Sequence, residues 1–120
     1  DGGLTTDGVV MGTPDYMPPE QAQGLPADFR SDLYALGVVL FEVFTGRLPF
    51  QGETAMATVL KHIQEPAPDP RRVNPRLPED LALLILRCLE KDPARRFQRA
   101  GDVHKELTSV SSRQAAPAAA

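Results

Sequence analysis

From Leu33 to Phe44 every residue except Glu42 is apolar or glycine. Wound as a helix, Leu33, Tyr34, Leu36, Val38, Val39, Leu40, Phe41, Val43 and Phe44 cover nearly every face. A helix apolar all round belongs in an interior. The run therefore predicts a central buried helix over Ser31–Thr45, around which the rest of the chain must organise. Ser31 or Asp32 is suited to cap its start by accepting from a free backbone N–H. Gly46 is suited to end it in the left-handed conformation. Leu48, Pro49 and Phe50 then form an apolar plug behind it.

The remaining elements are short, because 12 prolines punctuate 120 residues and each interior proline breaks a helix. Residues 1–12 are rich in Gly, Thr and Val and read as a flexible loop. Pro18 opens a short helix over Glu20 to Gln23. Residues 53–64 carry Ala55, Met56, Val59, Leu60 and Ile63 at helical spacing and read as a more polar surface helix. Pro66, Pro68, Pro70, Pro75 and Pro78 make 65–78 an irregular crossover. Leu81 to Leu86 alone would suit a buried strand. The apolar pattern continues through Cys88 and Leu89 behind an acidic start at Glu79 and Asp80, so a helix over Glu79–Glu90 is favoured. Asp92-Pro93 has the form of a cap followed by a first-turn proline. A last short helix is expected over 100–107, through Val103 and Leu107. From Thr108 the Ser-, Ala- and Gln-rich chain reads as a disordered linker. The fold class is mainly α, with no convincing strand and no internal repeat.

Charge and cysteine content remove several functions. Thirteen Lys and Arg against 16 Asp and Glu leave a net charge of −3, which offers no field for a nucleic-acid backbone. Cys88 is the single cysteine, so no internal disulfide forms. It reads as a small hydrophobe on an apolar helix face. His62 and His104 lie far from each other and from Cys88, which makes no zinc site; both read as residues of solvated helix faces. No apolar run reaches the ~18 residues of a membrane span. The chain opens on Asp1 without a basic-then-apolar signal, and is expected to be a piece of something longer.

Three short motifs stand in order along the chain. The first is Gly12-Thr13-Pro14-Asp15-Tyr16-Met17-Pro18-Pro19-Glu20, followed by Gln21. The second is Asp32-Leu33-Tyr34-Ala35-Leu36-Gly37. The third is Asp92-Pro93-Ala94-Arg95-Arg96-Phe97. Together they resemble the C-terminal part of the large lobe of a eukaryotic-like protein Ser/Thr kinase of the kind common in bacteria. The resemblance runs from about Leu4 to Leu107. It implies a partial kinase domain over 1–107, comprising the end of the activation segment, the loop that receives the residue after the target (the P+1 loop) and the family's helices F to I, with a linker over 108–120. The N-lobe and the catalytic loop are lacking.

The resemblance also implies roles, each beside a plainer reading. Glu20 and Arg96 match an ion pair that fixes loop position; without the family they are surface charges. Pro18 stands where the family has Ala or Ser. Asp32 matches the aspartate that holds the catalytic-loop backbone; otherwise it is a helix cap. Gly12, Thr13, Pro14 and Tyr16 lie in the P+1 loop, and Thr13 matches the residue that hydrogen-bonds the catalytic Asp and Lys; otherwise it is a turn threonine. Gly37 and Gly46 are close-packing and helix-end positions in either account. Thr5 and Thr6 lie where such kinases are phosphorylated, and a phosphate there can order a loop through arginines; otherwise they are loop residues. Where the bacterial pattern has Thr, this chain has Asp7 and Val9.

Phosphoryl transfer needs groups that hold ATP and metal. The sequence contains no Gly-x-Gly-x-x-Gly, His-Arg-Asp or Asp-Phe-Gly. No catalytic, cofactor-binding or metal-binding residue is therefore expected in this chain. ATP and Mg²⁺ are implied for the parent kinase, as are a protein substrate, the missing N-terminal kinase region as partner, and a cytoplasmic setting, with a membrane anchor on the parent left open. Two alternatives stand beside an active parent: a pseudokinase-derived module and a stand-alone helical interaction module.

Overall fold

The computed structural model describes residues 14–115, with side chains through Val110. Six helices and two single 3-10 turns occur among the described residues, with no strand. The helices are α1 (Pro19–Ala22), α2 (Phe29–Thr45), α3 (Ala55–Gln64), α4 (Pro70–Val73), α5 (Glu79–Cys88) and α6 (Ala100–Ala115). One 3-10 turn, Pro14–Tyr16, precedes α1; the other, Pro93–Arg95, precedes α6.

The central helix begins two residues before Ser31. Asp28 is its cap, accepting from the Arg30 N–H at 2.8 Å and gripping the Arg30 guanidinium as well. Ser31 does not cap because its hydroxyl is used elsewhere, and Asp32 sits inside the first turn, exposed. At the other end Gly46, at φ 77°, donates its N–H to the Glu42 carbonyl oxygen. A left-handed residue there favours glycine, which has no Cβ to clash.

Packing follows from α2 against α5. Leu33, Tyr34, Val38 and Phe41 meet Leu81, Leu84, Ile85 and Cys88, with Phe50, Leu77, Leu89, Phe97, Val103 and Val110 closing the core. Each fully buried large apolar side chain contributes about 1.5–3 kcal/mol. Gly37 makes the crossing close: a Cβ placed there would stand 2.7 Å from the Cys88 Cβ and 3.1 Å from Leu89 Cδ2. Cys88 is a packing residue, fully buried, with burial pushing its thiol up to about 12.

Three expectations change. First, α2 is not enclosed on every side. Val39 and Val43 are 42% and 67% exposed, because α5 and its neighbours cover only the opposite side. Second, the 65–78 crossover contains the one-turn helix α4, capped by Asp69 and started on Pro70. Third, the last helix runs on through Ala115, past the 107 boundary. Val110 continues the inward stripe of Val103 and Leu107 and is 5% exposed, so packing extends the helix into residues whose composition reads as linker. No helix among the described residues is long and apolar enough to cross a membrane.

Candidate functional site

The site is the segment from Pro14 to Glu20 and the groups that fasten it. The Pro14–Tyr16 turn closes with the Met17 N–H on the Pro14 carbonyl oxygen. Pro19 then starts α1 in the first-turn position that proline tolerates. Three separate fastenings hold this short stretch to the helices beneath it.

Glu20 and Arg96 form the first. Arg96 Nη1 donates to Glu20 Oε2 at 2.7 Å and Nη2 donates to Oε1 at 2.8 Å. This is the bidentate fork that a guanidinium and a carboxylate make best. Arg96 is fully buried, and Glu20 is 6% exposed. The other donors of Arg96 reach the carbonyl oxygens of Glu90, Arg30 and Lys91, and the Ser31 hydroxyl donates to Glu20 Oε2 at 2.5 Å. Burial alone would push the Glu20 carboxyl up; the hydrogen bonds from Arg96 and Ser31 outweigh it and hold the group below the usual carboxylate value. The pair joins α1, the start of α2 and the loop before α6, residues 76 apart in sequence.

Tyr16 makes the second fastening, donating its phenol O–H to Glu42 Oε1 at 2.6 Å. That bond, aided by burial and the carboxylate charge, pushes the phenol pKa upward. Glu42, the one charge in the apolar run, thus has a partner in the turn. The third fastening is His62. Its Nε2 lies 2.9 Å from the Asp15 carbonyl oxygen, and its Nδ1 lies 2.8 Å from the Tyr34 hydroxyl. A carbonyl only accepts, so Nε2 carries the proton and Nδ1 accepts from Tyr34. Burial pushes the imidazole down to about 4, and it keeps the Tyr34 phenol protonated by raising its pKa.

His62 corrects the expectation of a solvated helix face. It is fully buried, edge-on to Tyr34 and Phe50. The inward face of α3 is Thr58, Val59 and His62, while Met56 and Leu60 point outward at 62% and 44% exposure. The polar members tolerate burial because each is partnered: Thr58 accepts from the Gly52 N–H, and His62 uses both ring nitrogens. His104, by contrast, is exposed.

The other anticipated residues are distributed unevenly. Pro14 is half-buried in the turn. Asp32 is exposed and, with Tyr16, Met17, Pro18, Gln21, Ser31 and Ala35, lines a shallow cleft beside the turn. Thr5, Thr6, Gly12 and Thr13 lie outside the described residues. Lys91 is an addition. Its Nζ is buried without a hydrogen-bond partner among the described residues, 4.0 Å from the Phe50 ring centroid. Burial pushes its ammonium down to about 8. Arg96 lies over the Tyr34 ring at 4.9 Å. Glu42 was discoverable as the lone charge in the apolar run from Leu33 to Phe44, whereas His62 and Lys91 carried no such signal.

Among the described residues no group of three His, Cys, Asp or Glu side chains is arranged to hold a metal ion. The geometry is that of a fastened surface segment beside an open cleft.

Comparison with known proteins gives this geometry a family. The model of the protein kinase domain matches residues 4–107. A probable serine/threonine-protein kinase of Clostridium acetobutylicum is 43% identical over 109 residues, covering 91% of this chain and 17% of its own length. The serine/threonine-protein kinase PrkC of Bacillus subtilis is 43% identical over 107 residues, 89% of this chain and 16% of its own. The DNA damage-responsive serine/threonine-protein kinase RqkA of Deinococcus radiodurans is 50% identical over 95 residues, 79% of this chain and 14% of its own. The chain thus spans about one sixth of these relatives. Its helices are those of the kinase large lobe, and the chain belongs to the protein kinase family, similar throughout to bacterial serine/threonine kinases.

Proposed function

We propose that this chain is the acceptor-docking and scaffold portion of a protein serine/threonine kinase. The completed kinase transfers the γ-phosphoryl group of ATP to a Ser or Thr of a protein substrate, in the cytoplasm, where ATP is supplied. The observation that carries the reading is the buried Glu20–Arg96 fork, which fastens the Pro14–Glu20 segment to the body from 76 residues away. A buried pair of this kind fixes position more than it adds stability. In this reading Gly12, Thr13, Pro14 and Tyr16 shape the pocket for the residue after the target hydroxyl. Asp32, exposed beside the cleft, accepts backbone N–H groups of the catalytic loop. Thr5 and Thr6 accept regulatory phosphate.

ATP and Mg²⁺ belong to the completed kinase. The donor set of this chain does not fit them: the sequence holds no phosphate-cradling glycine motif, and the described residues no metal-binding cluster. The chain alone is expected to transfer no phosphoryl group. The reading is tested by the coding sequence upstream of Asp1. An in-frame Gly-rich loop, strand lysine, His-Arg-Asp and Asp-Phe-Gly support it. The same frame with those residues replaced makes the parent a pseudokinase, and a nearby stop codon makes the chain a helical interaction module.

A further inference from the structure

Of the three fastenings of the docking turn, the one at His62 is made by a buried titratable ring bonded through both nitrogens. His62 sits on α3, outside every motif that identifies the family, yet its ring reaches into the docking turn. It holds Asp15 by the backbone carbonyl, so the grip does not depend on which side chain occupies that position. Its other nitrogen is fixed by Tyr34, a fully buried residue of α2. Tyr34 in turn lies under Arg96, the partner of Glu20. The two grips on the segment, at Asp15 and at Glu20, therefore share one aromatic ring.

We propose that His62 is a positioning residue for acceptor recognition: held as the Nε2–H tautomer by Tyr34, it sets the height of the Pro14–Tyr16 turn and so the fit of the residue that follows the target Ser or Thr. The inference rests on the kinase reading above. Its distinctive content is selectivity. Removing the ring's donor frees the turn, which touches the protein substrate, while ATP in the completed kinase is held by other segments. The effect therefore falls on KM for the acceptor and spares KM for ATP.

The test uses the full-length protein, with a Ser/Thr peptide that it phosphorylates. His62→Phe keeps a ring but removes both hydrogen bonds. It is expected to raise KM for the peptide about tenfold, the size of one lost buried hydrogen bond. KM for ATP and kcat stay within about twofold. His62→Gln places an amide N–H at the reach of Nε2 and is expected to recover most of the peptide affinity. Equal changes in both KM values, an unchanged peptide KM, or no recovery with glutamine would overturn the inference and leave the kinase reading intact. A parent that phosphorylates no protein overturns the kinase reading and the inference together. A second measurement needs neither variant nor activity. Ring nitrogen NMR of the unaltered protein should show the proton on Nε2 and no titration until the pH falls toward about 4; a proton on Nδ1 instead, or titration at the ordinary histidine value, overturns the inference.

Discussion

Replacing Glu20 by glutamine is the sharpest perturbation of this structure. The amide has nearly the shape of the carboxylate, so packing around α1 is preserved. The charge goes, and one acceptor oxygen becomes a donor facing a donor of Arg96. Arg96 is left fully buried and without a counter-charge, with one amide oxygen and the carbonyl oxygens of Glu90, Arg30 and Lys91 as acceptors. Breaking a buried pair from one side costs about 3–5 kcal/mol. The three carbonyls remain, so the lower end, about 3 kcal/mol, is expected here. Arg96→Met should cost more, about 4–5 kcal/mol, because it leaves the Glu20 carboxylate with Ser31 as its remaining side-chain donor. Glu20→Gln combined with Arg96→Met should cost less than the sum of the two. Urea unfolding reads this directly: about 3 kcal/mol divided by a slope of about 1–3 kcal/mol per molar moves the midpoint by about 1–3 M. Acidity gives an independent check. The folded-state pKa of Glu20 is depressed, so its contribution is present above the ordinary value of 4.5 and lost as pH falls through the folded value. The unaltered protein should lose stability over that acid range, and Glu20→Gln should lack that portion. A loss under about 1 kcal/mol, or additivity in the double variant, would refute the reasoning.

Gly37→Ala should destabilise by about 1–3 kcal/mol, since its Cβ would meet the Cys88 Cβ at 2.7 Å and force α5 away; a thermal melt equal to the unaltered protein's would contradict this. Lys91→Met should leave stability unchanged or raise it by about 1 kcal/mol, because it removes a buried ammonium with no hydrogen bond while keeping the stem's contacts; a clear loss in urea unfolding would mean the contact with Phe50 matters more. His62 is neutral in the fold, so it contributes fully above its unfolded value of 6.5, and that contribution is lost as pH falls toward about 4, with burial chiefly pushing the pKa down, Asp15 pushing it up and the Lys91 charge adding to the downward push; the acid slope of stability over that interval should flatten in His62→Gln. The 120-residue chain alone should associate through the bare Val39 and Val43 face of α2; a monodisperse monomer in sedimentation would count against it.

Much of the fold was legible because apolar periodicity and proline punctuation are local signals. The apolar helices α2 and α5, the Gly46 stop and the Asp92 cap each follow from residues close together in sequence. The Glu20–Arg96 contact is not local, and only the family resemblance pairs two charges so far apart. His62 was misread for the same reason. The helical spacing of Met56, Val59 and Leu60 marks a helix without fixing the face that turns inward, which is chosen by the donors and acceptors of Asp15 and Tyr34 across the fold. The start of α2 moved because Ser31 has a stronger use on Glu20, and α6 outran its expected end because Val110 finds the core. Composition registers none of these tertiary partners.

The central claim is that this segment docks acceptors for a kinase, and phosphoryl transfer tests it most directly. The full-length protein, incubated with labelled ATP, Mg²⁺ and a protein acceptor, should place the label on Ser or Thr, while the 120-residue chain alone places none. Label on no protein with the full-length form, or transfer by the isolated chain, would contradict the account.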